Sequence, residues 1–294
     1  MLGGQLRRLH QAISTLPAQR PPSSSGERKQ PGTSSSHSEA PGIVFPGCGI
    51  FFWWQAGVVS ALAKRLDLDR AQFAGSSGGA ISATLAGCGV TDSERTYDVA
   101  LRLCEREGGF ARGPWGLWGI WGDLVREWLD ELLPPDADRR CSGRVHILVH
   151  RLGDGGRGHV SEFESRDDLI SAVLASVHIP LLMDGSLTAR FRGAHCVDPD
   201  LTGMFMTGSD RDGAGDEAGR SPGRLRLPES ASSSTLVSYV HDERVVAKYP
   251  APADVLRLAS AEGIWEMVRW GQEHGEALPS VEDCGRGRLG TLCW

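Results

Sequence analysis

Apolar residues run along this chain in short bursts that switch between a strand period and a helix period. Gly42-Ile43-Val44-Phe45 is a buried-strand pattern closed by Pro46-Gly47-Cys48-Gly49. The spacing then predicts a helix over 51–66, with Trp54, Val58, Ala61, Leu62 and Arg65 on one face. A second apolar run, Ala71 to Ala74, leads through a Gly/Ser turn into Ala80-Ile81-Ser82-Ala83-Thr84-Leu85-Ala86, small and helix-compatible. Thr91-Asp92-Ser93-Glu94 reads as a capping box opening a helix with Tyr97, Ala100, Leu101 and Cys104 together. Periodicity lapses over 108–122, where Trp115, Trp118 and Trp121 stand three apart among glycines. It returns in a helix over 123–133, stopped by Pro134-Pro135. A strand over 144–150 turns at Gly153 to Gly156 and pairs with 158–163. A helix over 167–176 ends at Ile179-Pro180, and Phe191 to Val197 is a short strand into Asp198-Pro199-Asp200. A last strand over 235–240 and a closing helix over 253–275 complete the pattern. Strands alternating with helices predict a layered α/β fold.

Composition adds limits more than content. The 294 residues carry a net charge of −6 and no dense Lys/Arg block, which argues against a nucleic-acid partner. The 7 cysteines form no C-x-x-C pair, so neither a zinc site nor a disulfide framework is implied; a reducing, intracellular compartment is the simple inference. No apolar run approaches the roughly 18 residues that span a bilayer. Residues 1–40 are rich in Ser, Pro, Gln and Arg without an apolar face, the composition of an unstructured tail or of an organelle transit peptide. A Gly-, Ser-, Asp- and Arg-rich stretch over 207–234 reads as a flexible insertion, and 281–294 as a C-terminal tail, leaving one domain over 41–280.

Chemistry concentrates at Gly75-Ser76-Ser77-Gly78-Gly79. This is G-x-S-x-G in strand–turn–helix context, a nucleophile elbow centred on Ser77 whose glycines allow a strained turn and close chain approach. A serine nucleophile also needs amide donors for its oxyanion, and the Gly47-Cys48-Gly49 turn between strand and helix supplies them. The rival reading of that turn, a G-x-G-x-x-G dinucleotide loop, fails at Phe52, which stands where the third glycine belongs. The third need is a base. One strand and one helix between the glycine turn and Ser77 are too few for an α/β-hydrolase, which disfavours His241 or His274 and points to a carboxylate acting directly on the serine.

With those residues in order, the chain resembles the patatin-like phospholipases, lipid acyl hydrolases with a Ser-Asp dyad. Phe45-Pro46-Gly47-Cys48-Gly49 with Gln55-Ala56-Gly57-Val58 resembles the family's oxyanion segment, and Gly75-Ser76-Ser77-Gly78-Gly79-Ala80 its elbow. Gly116 to Leu133 with Arg144-Val145-His146 resembles its middle region. Ser165 to Ile170 and Ala175-Ser176-Val177-His178-Ile179-Pro180 resemble the helix and turn that follow. Val197-Asp198 falls where the family's catalytic aspartate lies. The resemblance implies a three-layer α/β/α fold around a mostly parallel sheet. Ser77 would be the nucleophile, Asp198 the base and the amides of Gly47, Cys48 and Gly49 the oxyanion hole. It implies a lipid ester, phospholipid or neutral, as substrate, contact with a membrane or lipid-droplet surface, and no metal or cofactor. An ordinary carboxylate titrates near ~4, too low for a good base at neutral pH, so the site should be partly dry.

The run departs from the family at Asp198-Pro199-Asp200, where D-G-G or D-G-A is usual. Proline fixes φ and lacks an N–H, so the turn must be rearranged, and Asp200 adds a second carboxylate. The alternative reading is therefore a non-catalytic relative that binds lipid or a partner. His178, His195 and His241 read as packing or solvent-facing residues, Asp67 and Asp69 as solvated, and Trp53 and Trp54 as core. Trp115, Trp118 and Trp121 read either as an interfacial loop or as a buried cluster.

Overall fold

A computed structural model describes residues 40–153, 156–201, 225, 227 and 233–278. The expected tails at 1–40 and 281–294, save residue 40, and almost all of the expected insertion at 207–234 lie outside the described residues.

Among the described residues, seven strands form one sheet: β1 (Pro41–Phe45), β2 (Gln72–Gly75), β3 (Val145–Arg151), β4 (Gly156–Val160), β5 (Ala189–Phe191), β6 (Ala194–Val197) and β7 (Ser233–Leu236). β7, β1, β2 and β3 lie side by side and parallel, while β4 and β6 pair antiparallel with β3, and β5 with β6. Helices whose whole length lies among the described residues are α1 (Phe52–Ala63), α2 (Gly78–Gly87), α3 (Ser93–Arg106), α4 (Trp121–Leu132), α5 (Ala137–Cys141), α6 (Arg166–Ser176), α7 (Glu243–Lys248) and α8 (Ala261–Ala277). They flank the mostly parallel sheet, as the α/β/α expectation required. Ile147 and Leu148 point to opposite faces of β3 and both are buried, so the sheet is covered on both sides.

α1 is more deeply placed than its predicted single face suggested: ten of its twelve residues are buried. It meets α8 so closely that a Cβ on Gly271 would lie 1.9 Å from the Trp54 carbonyl oxygen. Arg65 is not on the helix. It lies just beyond it and donates to the carbonyls of Gly275 and Glu276 near the end of α8. The cap of α3 is Asp92, which accepts from the Arg95 N–H, rather than Thr91. The buried face of α3 is Ser93, Thr96, Val99, Leu103 and Cys104, with Tyr97, Ala100 and Leu101 half-buried.

Three further elements differ from the sequence reading. The strand expected over 191–197 is a hairpin, β5 and β6, turned by Arg192 and Gly193 at φ 46° and 78°. The last strand is shorter and earlier than 235–240, giving way to a 3-10 turn at Tyr239–His241. The closing helix begins at Ala261, capped by Ser260, and is preceded by α7 and a 3-10 turn, Pro252–Leu256. No helix among the described residues is long and apolar enough to cross a membrane, and no cluster of three His, Cys, Asp or Glu side chains there is placed to hold a metal.

Candidate active site

The register of the sheet brings the two glycine turns together. Phe45 pairs with Gly75, so the chains leaving β1 and β2 run side by side at the carboxyl ends of parallel strands. The approach leaves no room for side chains. A Cβ on Gly79 would lie 2.1 Å from the Phe45 carbonyl oxygen. A Cβ on Gly47 would lie 2.0 Å from Asp200 Oδ2 and 3.2 Å from Ser77 Cβ. Gly49 has φ +51°, and its Cβ would meet the Val255 carbonyl oxygen at 2.0 Å. Gly75 and Gly78 are confined in the same way, by the backbones of Gly79 and Gly49. Size, as well as torsion, fixes these glycines.

Ser77 occupies φ 52°, ψ −130°, a conformation that costs a non-glycine residue on the order of 1–3 kcal/mol. The surroundings hold it there. Its N–H donates to Ser176 Oγ at 3.0 Å, and Ser176 in turn donates to the Leu148 carbonyl at 2.7 Å. Immediately beyond, the Gly79 and Ala80 N–H groups close turns onto Ser76 and Ser77, and α2 begins. The positive end of that helix dipole lies beside the Ser77 oxygen.

The Ser77 hydroxyl donates to Asp198 Oδ2 at 2.5 Å. Asp198 is buried, and its own N–H is held by the His178 carbonyl at 2.7 Å. Its Oδ1 accepts the Asp200 N–H at 2.8 Å. Residues 199–201 are helical, so Pro199 stands at the first helical position, where its missing N–H costs nothing, and Asp198 acts as the N-cap. The proline therefore does not turn the carboxylate away. Asp200 accepts from Ser76 Oγ at 2.8 Å, and its carboxylate faces Gly47.

Burial, with Asp200 second, pushes the Asp198 carboxyl from an ordinary value near 3.8 up to about 7, against the opposing hydrogen bonds from Ser77, Asp200 and Leu201. Asp200 is also raised, first by burial of its carboxyl, although the residue keeps an exposed face; Ser76 and Arg157 oppose the rise. The Cys48 thiol is pushed well up by burial and then by Asp200 and Asp198, so it stays protonated beside the serine.

Of the residues singled out in sequence, the structure brings together Ser77, Asp198, Gly47, Cys48, Gly49, Gly75, Gly78 and Gly79. Among the described residues, no backbone hydrogen bond outside helices and strands uses the N–H of Gly47, Cys48 or Gly49. His178 contributes its carbonyl, while its ring faces the Ser186 carbonyl. His195 bonds Thr188, and His274 packs on Trp54; neither is a partner of Ser77. Asp67 caps a 3-10 turn through the Asp69 N–H. Ser76 and Ser176 had no role in sequence. Gln55 is the exception with a local signal, as an amide in a helix otherwise almost wholly apolar. It is fully buried, donating to the Pro46 and Val237 carbonyls and accepting from Ser82, and so ties the start of the glycine turn to the residue just after β7.

Trp121 belongs to the core. Trp115 and Trp118 do not, so the three tryptophans are not one cluster. An apolar cavity of about 70 Å³ opens next to Ile50 and Phe52, lined further by Trp53, Phe110, Leu117 and Trp128. It contains neither Ser77 nor Asp198, but Ile50 follows directly from the glycine turn.

The family model for patatin-like phospholipase matches residues 43–199. The chain is 34% identical over 165 residues to an omega-hydroxyceramide transacylase of Homo sapiens, covering 55% of this chain and 31% of that protein. It is 31% identical over 159 residues to the 1-acylglycerol-3-phosphate O-acyltransferase Pnpla3 of Mus musculus, covering 53% and 38%. It is likewise 31% identical over 163 residues to the human patatin-like phospholipase domain-containing protein 2, covering 54% and 32%. The match thus spans about a third of each relative's own length.

Proposed function

The chain belongs to the patatin-like phospholipase family, and on that premise we propose that it cleaves carboxylic esters of lipids through an acyl-enzyme on Ser77. The observation that carries this reading is the 2.5 Å contact between Ser77 Oγ and a buried Asp198 carboxylate, with the serine in a strained turn. Asp198 takes the hydroxyl proton as Ser77 attacks the ester carbonyl. The N–H groups of Gly47, Cys48 and Gly49 receive the oxyanion. Collapse of the tetrahedral intermediate expels the alcohol with the proton held by Asp198. Water, deprotonated by the same carboxylate, then releases the fatty acid and frees Ser77. A base near pH 7 suits this cycle, since the proton is both taken and returned close to neutrality. The acyl chain lies toward the apolar cavity beyond Ile50. The ester is met at a membrane or lipid-droplet surface.

A second reading concerns the acceptor. Two of the relatives are named for acyl transfer, and a lipid hydroxyl in place of water would complete that reaction on the same acyl-enzyme. The non-catalytic alternative is disfavoured by the placement of Pro199, which leaves Asp198 aimed at Ser77.

The test is labelling with a fluorophosphonate. Wild type should label, Ser77→Ala should not, and Asp198→Asn should label far more slowly. Absence of Ser77-dependent labelling in folded protein would overturn the enzyme reading. Product analysis with a labelled lipid ester, with and without a lipid alcohol, separates hydrolysis from transfer.

A further inference from the structure

Four of the large apolar side chains exposed in the described structure lie on two adjoining loops. Trp115 and Trp118 are 42% and 50% exposed, and Leu181 and Leu187 are 47% and 68% exposed. The loops are joined by backbone hydrogen bonds, Gly119 N–H to the Leu182 carbonyl at 2.8 Å and Gly122 N–H to the Met183 carbonyl at 2.7 Å. Leu181 N–H bonds the Ser186 carbonyl, which folds Leu187 back toward Leu181. The two indoles meet edge to face at 6.1 Å, so each supports the other in the exposed position. Gly113, Gly119 and Gly185 have open space where a Cβ would stand, so the backbone at these points of the loops faces outward.

We propose that this pair of loops is where the molecule seats on a lipid surface, an inference that rests on the lipid-ester reading above. Tryptophan suits the boundary between hydrocarbon and water, where its ring is buried and its N–H stays wet. Cationic groups stand beside the indoles: the Arg257 guanidinium lies over the Trp115 ring at 5.7 Å, and Arg112 donates to the Trp118 carbonyl at 3.0 Å. They match the phosphates of a headgroup layer. Three acids are nearby: Asp254, Asp184 and the exposed Asp123 at the start of α4. Asp254 pairs with Arg257, and Asp184 accepts the Ser186 N–H. Exposed indoles and leucines with Arg112 and Arg257 beside them fit insertion between headgroups.

Both loops lead directly to the site. The 181–187 loop follows His178, whose carbonyl holds the Asp198 N–H and whose ring meets the Ser186 carbonyl at 3.3 Å. The other loop is tied to the segment behind the glycine turn: Leu258 N–H donates to the Pro114 carbonyl at 2.8 Å, and the Val255 carbonyl packs on Gly49. Seating on lipid therefore holds the base side and the oxyanion side of the site at the surface that carries the substrate.

The experiment is co-sedimentation of the full chain with vesicles of phosphatidylcholine and phosphatidylserine. It compares wild type, Ser77→Ala, Trp115→Ala/Trp118→Ala and Arg112→Glu/Arg257→Glu, each checked for its fold by circular dichroism and thermal melting. Wild type and Ser77→Ala should bind alike. The double tryptophan variant should bind about tenfold more weakly, and the double arginine variant should lose the dependence on phosphatidylserine. Vesicle-borne ester hydrolysis should fall more than hydrolysis of a short soluble ester. Binding by Ser77→Ala with no esterase activity in wild type would leave the docking surface standing and sink the catalytic reading. Absence of wild-type binding, undiminished binding by a folded tryptophan variant, or a dimer in solution that the tryptophan substitutions disperse would overturn the proposal.

Discussion

Replacing Asp200 with asparagine removes a charge from the site with little change of shape. The amide oxygen can still accept from Ser76 Oγ, and the backbone N–H that Asp198 accepts is untouched. Two effects follow from the geometry. The first is on the base. Asp198 titrates near 7 because of burial first and Asp200 second, so without Asp200 its value should drop by on the order of one pH unit, about 1.4 kcal/mol. In the proposed mechanism the ionised carboxylate is the base, so activity should rise as pH passes upward through that value, and the acid limb of kcat/KM should move down in the variant. The second effect is on the transition state of the proposed mechanism, in which Asp198 would be neutralised by the serine proton and negative charge would sit on the substrate oxygen. Asp200 Oδ2 faces Gly47 within a few ångströms of Ser77 Cβ. At roughly 6 Å and an effective dielectric of about 20, a like charge costs on the order of 3 kcal/mol. Because Asp200 keeps an exposed face, solvent screening brings this nearer 1–2 kcal/mol. A weaker base gives back part of the gain, leaving a plateau rise of about fivefold to tenfold. The assay is kcat/KM for a short soluble ester from pH 5 to 9 at constant ionic strength. An acid limb that stays in place, with a plateau unchanged or lower, would refute the electrostatic account of Asp200.

Other consequences follow from single contacts. Asp198→Asn should stabilise the fold at pH 8 by about 2 kcal/mol or more. The native carboxyl binds its proton more tightly than the unfolded chain does, so wild-type stability falls as pH rises from about 4 to about 7, and the variant's advantage in urea melts should vanish toward pH 4. Ser176→Ala leaves the buried Ser77 N–H without its acceptor; it should cost about 1–3 kcal/mol in urea melts and slow fluorophosphonate labelling. Gly271→Ala drives a methyl into the Trp54 carbonyl and should lower stability by about 2 kcal/mol or more, read as a fall in melting temperature.

What the sequence could convey was governed by range. The elbow and the glycine turn are local, because the small residues that permit a strained turn and a close approach sit within five positions of Ser77 or Cys48. The strand and helix periods around them could be read for the same reason. The groups that hold the elbow are not local. Ser176 reaches Ser77 across 99 residues and Asp198 across 121, and no spacing rule joins them; the aspartate was placed by family resemblance and the serine had no assigned role. Burial on all sides also hid information. α1 lies under α8 with apolar residues on nearly every face, so the single face read from Trp54, Val58, Ala61 and Leu62 understated how far the helix is buried. The β5–β6 hairpin was hidden differently, since its turn uses Arg192 at positive φ beside Gly193, and a lone glycine in an alternating run looks like part of a strand.

Pro199 shows how a local rule can be right about a residue and wrong about its consequence. Proline cannot reproduce glycine torsions, and the sequence therefore suggested a displaced carboxylate. In the structure the chain after Asp198 enters a helical turn, where the fixed φ of proline suits the first position and Asp198 becomes the cap. The same turn places the Asp200 N–H on Asp198 Oδ1 and the Asp200 carboxylate beside Gly47. One residue thus stabilises the ionised base through its backbone and opposes it through its side chain. Because those two actions come from different atoms, Asp200→Asn removes the side-chain charge and leaves the backbone hydrogen bond, whereas a substitution that unwinds the turn removes both. The acid limb should therefore move further down for Asp200→Asn than for a variant that unwinds the turn, because the second also loses the N–H that favours the ionised carboxylate.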